Sequence, residues 1–324
     1  MPLGEPMKKK TVLITGGTGS LGQALAFNLA KTNHVRIYSR NEEKQFYLSE
    51  KFKKNNLDNF SFVIGDIQDE LNMKKAMHGV NIIIHTAAMK DLIYCEKNPD
   101  QCIKNNIIGS QVLLNAASQT GSVERICGIS TDKAAAPSST YGASKLIMES
   151  IFYDFSKIFP NIRTTVARFG NMIDSSGSLI SYWVNNPKSI YGLSDPNISR
   201  FFFTINEAVE LVNQVVSTGK SGTVTIPFMK KIQIKDVIQK LNPQKVKNIT
   251  GIKPGEKISE HLISSDELLF ASIGKKVIVL SREEESFLVK KIDPKVSKNF
   301  DSSTADSFSN SEIDSILLKL KNKS

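Results

Sequence analysis

The stretch Thr11–Gly22, TVLITGGTGSLG, decides the fold class. Its first five residues form an apolar, β-branched run that predicts a buried strand, and helical spacing follows over Leu21–Lys31. Glycines 16, 19 and 22 allow a tight turn, the close approach of a pyrophosphate and close packing of helix on strand. Because a helix N-terminus also offers N–H groups to phosphates, the stretch predicts a dinucleotide-binding site.

The same alternation of strand and helix continues to about residue 170. Strands that are apolar throughout, separated by helices, indicate a parallel sheet that is covered on both faces. The expected strands are Thr11–Thr15, Val35–Ser39, Phe60–Ile64, Ile82–His85, Arg125–Ser130 and Arg163–Arg168. The expected helices are Leu21–Lys31, Glu42–Lys54, Asn72–His78, Asp100–Thr120 and Tyr141–Phe159.

Beyond Phe169 the alternation weakens, because prolines break the chain into short pieces. We expect one helix at Asn206–Ser217, a loop at Phe300–Asn310 and a helix at Ser311–Leu320 that Ser311 caps. The sequence therefore predicts an α/β fold: a doubly wound, Rossmann-type parallel sheet with a smaller mixed α/β substrate domain. Residues 1–170 form the nucleotide-binding domain and residues 171–324 the smaller domain, with exchange of segments between them allowed.

Composition excludes several classes of protein. The 324 residues are 40% hydrophobic and 23% charged, which is typical of a globular chain and not of a disordered one. No apolar run approaches the roughly 18 residues that span a bilayer, so we expect no membrane insertion. The opening Met1–Lys10 lacks the apolar stretch of a secretory signal.

Charge and cysteine content bear on partners and compartment. The net charge of +10 is spread along the chain as single lysines and pairs such as Lys53-Lys54, so we expect no nucleic-acid partner. Three cysteines are too few and too irregularly spaced for a disulfide framework or a metal cage. They favour a reducing, cytoplasmic setting, and no metal site is predicted.

The end of the second strand indicates which dinucleotide binds. An acidic residue there would accept hydrogen bonds from the ribose 2′-hydroxyl and select NAD. This chain has Ser39 and Arg40 instead, with Lys44 one turn further on. A hydroxyl and two cations suit a 2′-phosphate, which favours NADP over NAD; the alternative is that Arg40 stacks on the adenine. Asp66 is placed to meet the adenine amino group.

A tyrosine and a lysine begin the helix after the fifth strand. Tyr141 and Lys145 are four residues apart, which puts phenol and ammonium on one helix face. The ammonium and a cationic nicotinamide ring both favour the phenolate, so Tyr141 can act as a base near neutrality. Thr131 ends the fifth strand, where its hydroxyl can share the proton of a substrate alcohol. The alternative is an ordinary surface Tyr and Lys.

With the glycine turn and Thr131, this Tyr-x-x-x-Lys motif resembles the extended short-chain dehydrogenase/reductase family. The string STDKAAAP at 130–137 is similar to the signature of nucleotide-sugar 4,6-dehydratases, and the similarity extends from about Lys9 to the segment Phe300–Ser303. Other strings resemble the C5-inverting UDP-N-acetylglucosamine 4,6-dehydratases: AAMK at 87–90, ExNP at 96–99, IK at 103–104 with Asn106, RFGN at 168–171 and GIKPGEK at 251–257.

The resemblance implies roles for individual residues. Tyr141 would take the proton of the 4-hydroxyl while hydride passes from C4 to NADP and later to C6. Lys133, acting neutral, would remove the C5 proton, and Asp132 would protonate the departing 6-hydroxyl. Burial and the cations Lys145 and nicotinamide are expected to keep Lys133 neutral. The alternative is that Asp132 and Lys133 form only a loop salt bridge.

The remaining expected contacts follow from the same resemblance. Arg200 is expected to clamp the diphosphate of a UDP-sugar. The expected substrate contacts are Met89, Lys90, Asn171, Arg200 and Glu256. The expected cofactor contacts are Gly16, Thr18, Gly19, Ser20, Leu21, Gly22, Ser39, Arg40, Lys44, Asp66, Ile67, Ala87, Ala88, Lys90, Tyr141 and Lys145.

Three residues depart from the family pattern: Asp91, Ser176 and Ser259. They lie in regions expected to face the substrate, so they leave the exact sugar and the C5 outcome open. Two other functions also stay open: a UDP-hexosamine 4- or 5-epimerase of the same family, and a non-catalytic NADP-binding sensor. The resemblance further implies a homo-oligomer.

Overall fold

The computed structural model describes residues 7–175, 178–186, 192–242, 249–282 and 294–322. The strands are β1 Thr11–Thr15, β2 His34–Ser39, β3 Phe60–Ile64, β4 Ile82–His85, β5 Arg125–Thr131, β6 Arg163–Phe169, β7 Asn171–Met172, β8 Ser199–Phe203, β9 Thr223–Pro227, β10 Lys230–Gln233, β11 Ala271–Ile273 and β12 Val277–Ser281. The helices are α1 Ser20–Leu29, α2 Glu42–Lys54, α3 Glu70–Met77, α4 Leu92–Lys97, α5 Pro99–Ile103, α6 Gly109–Ser118, α7 Thr140–Ile158, α8 Leu179–Asn185, α9 Ile205–Thr218, α10 Ile234–Leu241, α11 Pro294–Ser297 and α12 Asn310–Lys321.

A nine-stranded sheet in the order β11-β12-β9-β6-β5-β4-β1-β2-β3 forms the centre of the fold. The pairs from β9 to β3 are parallel, and β12 and β11 add to the edge in antiparallel orientation. The strand order reverses between β1 and β4, and ligands of such sheets bind in the crevice at this point, beyond the carboxyl ends of the strands. The predicted doubly wound α/β fold is confirmed.

The apolar strands are buried on both faces, as the continuous runs predicted. In β1, Val12 and Ile14 belong to the core on one side of the sheet, while Leu13 belongs to the core on the other. In β4, Ile82 and Ile84 face the first core and Ile83 faces the second. Helices pack over both faces, so the apolar side chains on each face of these strands are covered.

A second sheet and a third core lie apart from the large sheet. The strands have the order β10-β8-β7, and the core includes Trp183, which is 2% exposed, together with residues of α10 and α12. Strands β9, β11 and β12 return to the large sheet, so chain from both sides of residue 170 builds it. The division at residue 170 stays a prediction.

Two predicted helices differ from those observed. The single helix expected at Asp100–Thr120 is divided into α5, a π-helical turn at Lys104–Ile108 and α6. The turn contains Asn106, which is buried and hydrogen-bonded to the backbone of Met89. The second difference is the cap of α12: Ser309, not Ser311, is the N-cap, and it forms a capping box with Glu312.

The longest helix is α7, with 19 residues, and it carries Lys145, Glu149 and Lys157 within its length. In the described ranges of the chain, no helix is both long enough and apolar enough to cross a membrane.

Candidate active site

A cavity of about 790 Å³ opens beyond the carboxyl ends of β1, β4 and β5. Most of the predicted site residues line it: Gly16, Thr18, Gly19, Ser20, Leu21, Gly22, Ser39, Arg40, Lys44, Ile67, Ala87, Ala88, Lys90, Thr131, Lys133, Tyr141, Lys145, Asn171, Arg200 and Glu256. Asp66, Met89 and Asp132 are not part of the lining. The topology therefore brings together residues that lie up to 240 positions apart in the sequence.

The glycine turn between β1 and α1 leaves room that a side chain would fill. Gly16 has a φ of 67°, and a Cβ there would lie 2.8 Å from the backbone of Ala87. A Cβ on Gly22 would lie 2.6 Å from the carbonyl oxygen of Gly16. The N–H groups in the first turn of α1 have no acceptor within the helix. Because this end of α1 lines the cavity, the turn fits the phosphates of a dinucleotide.

The residues after β2 and β3 form a polar end of the cavity. Arg40 Nη1 lies 3.3 Å from Asp66 Oδ2, and both side chains are exposed to solvent. The hydroxyl of Ser39 accepts a hydrogen bond from Gln45 Nε2 at 3.0 Å. Gln45 was not predicted as a site residue, although it faces the same strand end one turn into α2. Lys44 lies beside this cluster and lines the cavity.

Asn106 supports the loop that follows β4. Its amide accepts a hydrogen bond from Met89 N at 2.7 Å and donates one to Met89 O at 2.9 Å. The same nitrogen donates to Ser144 Oγ on α7 at 2.9 Å. Through Asn106, the backbone of Met89 is hydrogen-bonded to the helix that carries Tyr141. Met89 therefore presents a fixed backbone beside the cavity, and its side chain does not line it.

Tyr141 and Lys145 both line the cavity from the first turns of α7. Burial and, to a smaller extent, the charge of Asp132 raise the pKa of Tyr141 to about 12, while Lys133 and a hydrogen bond with Thr131 oppose the shift. The cation that lowers this pKa is therefore Lys133, where the sequence suggested Lys145. Burial lowers the pKa of Lys145 to about 8, against the opposing charge of Glu149. Lys145 Nζ contacts Met148 Sδ at 3.2 Å.

The surroundings of Lys133 favour its charged ammonium form. Burial favours the neutral amine, but Asp132 and Glu260 outweigh it and raise the pKa of Lys133 well above its ordinary value. Nζ lies 3.0 Å from Asp132 Oδ1 and 3.5 Å from Glu260 Oε1. The expectation that burial and neighbouring cations hold Lys133 neutral is wrong for this state, because two buried carboxylates face it. The Asp132–Lys133 salt bridge is present, and both the catalytic role and the alternative of a loop salt bridge alone include it.

Asp132 itself is fully buried at the floor of the site. Its Oδ1 also accepts a hydrogen bond from Thr131 Oγ1 at 3.0 Å, whereas no described residue hydrogen-bonds to its Oδ2. A Cβ on Gly170 would lie 2.9 Å from that free oxygen. Gly170 therefore leaves space beside a carboxylate oxygen that has its hydrogen-bonding capacity unused.

Arg200 and Glu256 form the opposite wall. The two side chains are 3.6 Å apart, and Arg200 Nη1 donates to the carbonyls of Ser199 at 2.8 Å and Ile258 at 3.1 Å. Asn171 Nδ2 donates to Phe201 O at 3.2 Å. The guanidinium of Arg200 is thus held at the cavity surface by backbone carbonyls, with part of its donor set available to an anion.

The three residues that depart from the family pattern differ in their structural surroundings. Asp91 caps α4, since its Oδ1 accepts a hydrogen bond from Tyr94 N at 2.9 Å. Ser259 is half-buried in the segment that follows Lys257. Ser176 lies outside the described residues.

The sequence interpretation assigned no role to Lys257, the last residue of the string GIKPGEK, or to Glu260, three positions later. Lys257 Nζ donates to the carbonyls of Ala135 and Ala136, and Ala136 has a φ of 47°, in the left-handed region that a Cβ disfavours. Glu260 is 2% exposed and faces Lys133. In the sequence, the only indication is that Lys257 and Glu260 are three positions apart. Their contacts with the loop of Asp132 are seen only in the folded chain.

The described residues contain no group of three or more His, Cys, Asp or Glu side chains that could hold a metal ion. Cys95, Cys102 and Cys127 are buried free thiols.

Comparisons with known proteins agree over most of the chain. A sequence profile of the family described as "Polysaccharide biosynthesis protein" matches residues 12–295. The UDP-N-acetylglucosamine 4,6-dehydratase (inverting) of Campylobacter jejuni is 36% identical over 267 residues, which are 80% of this chain and 79% of that protein. A UDP-glucose 4-epimerase of Rickettsia rickettsii is 32% identical over 273 residues, with 80% and 79% covered. The X-ray structure of Pen from Bacillus thuringiensis superposes with a TM-score of 0.86 at 31% identity and covers 97% of this chain and 99% of that one.

Proposed function

The chain belongs to the polysaccharide biosynthesis protein family, and on that premise we propose that it is a nucleotide-sugar 4,6-dehydratase. Its substrate is UDP-N-acetylglucosamine and its product a 4-keto-6-deoxy UDP-hexosamine, with inversion at C5. One observation carries the proposal: a buried lysine–carboxylate pair, Lys133 and Asp132, lies beside Tyr141 at the cavity. The Campylobacter jejuni relative, which bears the name of this activity, supports it.

Elimination of water across C5 and C6 needs a base for the C5 proton and an acid for the departing hydroxyl. Lys133 Nζ and Asp132 Oδ1 are 3.0 Å apart, so one proton can pass directly between them. That transfer turns an ammonium and a carboxylate into an amine and a carboxylic acid, the two forms that the reaction requires. The ion pair between Lys133 and Asp132 is then one of the two forms of an acid–base pair.

Tyr141 and Thr131 act on the 4-hydroxyl. A nicotinamide dinucleotide, when bound, supplies oxidation at C4 and the matching reduction at C6. The glycine turn, Ala87 and Ala88 offer the backbone room that its phosphates and ring need. Burial favours the neutral phenol of Tyr141, whose pKa is about 12, so Tyr141 can act as a base only when added positive charge nearby stabilises the phenolate, which then takes the proton of the 4-hydroxyl.

We place NADP ahead of NAD in this site. Arg40, Lys44 and Ser39 line the polar end of the cavity, and neither Ser39 nor Arg40, at the end of β2, is an acidic residue that would accept from a ribose 2′-hydroxyl. The Arg40–Asp66 contact is exposed and weak, so a phosphate can compete for the guanidinium. NAD remains the second choice, because Asp66 partly neutralises Arg40.

Arg200 is the residue that we assign to the diphosphate of the UDP-sugar, with Glu256, Asn171, Lys90 and the backbone of Met89 around the sugar. A cytoplasmic location is consistent with the three free thiols. Assembly into a homo-oligomer is a further part of the proposal, taken from the family resemblance.

A UDP-hexosamine 4- or 5-epimerase is the second candidate. It uses the same Tyr141 and Lys145, and the Rickettsia rickettsii relative is named as a 4-epimerase. An epimerase at C4 does not need an acid for a departing hydroxyl, so the buried Asp132–Lys133 pair favours the dehydratase.

The experiment that tests the function is incubation with UDP-N-acetylglucosamine and catalytic NADP in D₂O, followed by mass spectrometry and proton NMR. The proposal expects a product lighter by one water, with deuterium at C5 and inverted configuration there. Tyr141→Phe is the matched control and should give no product. An isomer of unchanged composition would establish the epimerase instead, and unchanged substrate would exclude both.

A further inference from the structure

Glu260 is a buried carboxylate with an oxygen that no described residue satisfies. It is 2% exposed; its Oε1 lies 3.5 Å from Lys133 Nζ, and its Oε2 accepts no hydrogen bond from the described part of the chain. Lys257 Nζ lies 3.9 Å from Oε2. A buried, partly unsatisfied carboxylate costs free energy, so packing alone does not explain why Glu260 lies here.

The backbone of Glu260 is fixed on both sides. Its N–H donates to Ser302 Oγ at 2.8 Å, and its carbonyl accepts from Ser302 N at 2.9 Å. Two residues later, the carbonyl of Leu262 accepts from Arg168 Nη1 at 3.2 Å. Because these anchors hold the main chain, the carboxylate of Glu260 is presented to Lys133 in a defined place.

Ionisable groups from four parts of the fold surround the amino group of Lys133. Asp132 precedes it in the same 3₁₀ turn, Arg200 faces it from β8 and Tyr141 from α7. The segment 249–282 contributes Glu260. From the same segment, Lys257 lies beside Glu260, and Glu256 lies beside Arg200. Two carboxylates contact Nζ itself, and the charge of Arg200 opposes their effect on the pKa of Lys133.

We propose that Glu260 is a positioning residue that holds Lys133 Nζ between two carboxylates, at the point from which it acts on the sugar. The inference rests on the proposed function, since it assigns the partner of that reaction's base. Asp132 exchanges a proton with Lys133, whereas Glu260 keeps its charge and fixes the amine during the exchange. Glu260 also stabilises the ammonium, so removal of its charge makes Lys133 easier to deprotonate.

The first test compares Glu260→Gln with the wild type in the dehydration assay. The amide keeps the shape and removes the charge, so we expect kcat to fall roughly 10- to 100-fold while KM changes less than about twofold. The alkaline limb of the pH–rate profile should move to lower pH, which a merely structural role would not cause. Asp266→Asn, an exposed acid on the same segment, is the matched control and should match the wild type.

Glu260→Asp separates position from charge. It keeps the carboxylate but withdraws it by one methylene, so the alkaline limb should stay near that of the wild type while kcat still falls. Wild-type kcat in this variant, or an unmoved alkaline limb in Glu260→Gln, would overturn the inference. Because the two variants change different properties, either remains informative if the other fails to fold.

A readout without turnover distinguishes this inference from the proposed function. In ligand-free protein labelled at lysine Cε, NMR titration should show Lys133 still charged at a pH where it is neutral in Glu260→Gln. If the wild type makes no dehydrated sugar, the proposed function fails and the titration still tests the Glu260–Lys133 contact. If Lys133 titrates identically in both proteins, the inference is wrong even when dehydration is observed.

Discussion

At the scale of single residues, the site depends on charges that only the fold brings together. Asp132 and Lys133 are adjacent in sequence, but the state of Lys133 depends on Glu260, more than 120 positions away. A neighbouring anion within about 4 Å favours an ammonium, whereas burial alone favours the amine. From the sequence we expect Lys133 to be buried and, through the family resemblance, to act as a base. The structure adds a second carboxylate, Glu260, which reverses the charge expected for Lys133.

Replacing Lys133 by Ala should remove elimination and spare oxidation at C4. General acid–base groups contribute about 10²- to 10⁴-fold, so product formation should fall by that range. Reduced cofactor should still accumulate on mixing with substrate, because Tyr141 and Thr131 are intact, and absorbance of the reduced nicotinamide follows it. Lys230→Ala, at an exposed pair with Glu312, is the control. A normal dehydration rate in Lys133→Ala would show that another group is the base.

Replacing Arg40 by Ala should weaken NADP selectively. A charge-assisted contact to a phosphate is worth about 1.5–3 kcal/mol, and exposure reduces that gain, so we expect the Kd for NADP to rise roughly tenfold. The Kd for NAD should change little, since it lacks the 2′-phosphate. Calorimetric titration of both dinucleotides measures the ratio. Equal losses for the two would mean that Arg40 contacts a part that they share, such as the adenine.

At the scale of elements, the features that could be predicted are those that depend on local sequence patterns. The Gly turn with β1 and α1, and the helix that carries Tyr141, follow from apolar spacing over a few residues. The π-helical turn at Lys104–Ile108 could not be predicted this way, because it accompanies hydrogen bonds between Asn106 and the backbone of Met89, which no local pattern indicates. The N-cap of α12 can be predicted from the sequence, since Ser309 and Glu312 have capping-box spacing; the prediction of Ser311 is wrong.

Ser309→Ala should destabilise the protein through α12. Loss of an N-cap hydroxyl costs about 1 kcal/mol, and α12 packs Ile313, Leu317 and Leu320 into the third core. Urea unfolding should show a lower midpoint with an unchanged slope. Ser315→Ala, at an exposed position inside α12, is the matched control, and it should stay within about 0.5 kcal/mol of the wild type. Equal effects would argue against the capping box.

At the scale of the whole molecule, one buried cluster joins the catalytic helix to the segment of Glu260. Arg168, fully buried on β6, donates to Glu149 on α7 at 2.6 Å and to Glu267 at 2.6 Å. The motif RFGN drew attention to Arg168, but its partners come from 19 residues before and 99 residues after it. Such pairings have no local pattern, which is why the sequence predicted the fold and most of the cavity lining but not this cluster.

This cluster gives the protein a defined dependence on acid. Burial alone would raise the pKa of Glu267, but hydrogen bonds and the charge of Arg168 outweigh it and lower that pKa. The folded pKa lies below the unfolded one, so this stability is complete at neutral pH and lost as pH falls from about 4.5 through the folded value. Glu267→Gln should unfold more easily at pH 7, by about 2–4 kcal/mol, with a weaker loss on acidification.

Denaturant titrations at neutral and acidic pH measure both quantities. Glu210→Gln, at an exposed position of α9, is the control for removing one carboxylate. An acid dependence as steep in Glu267→Gln as in the wild type would assign it to other carboxylates.

The order of strands in the large sheet has a consequence for how the chain is made. Residues up to 170 contain β1 to β6, but β6 gains its next neighbour, β9, only at residue 223 and the edge is complete only at residue 281. During synthesis on the ribosome, β6 is thus an uncovered edge strand for more than 50 residues of elongation, and such edges recruit other chains. A fragment that ends near residue 170 would carry that edge permanently, so it should aggregate where the full-length chain does not.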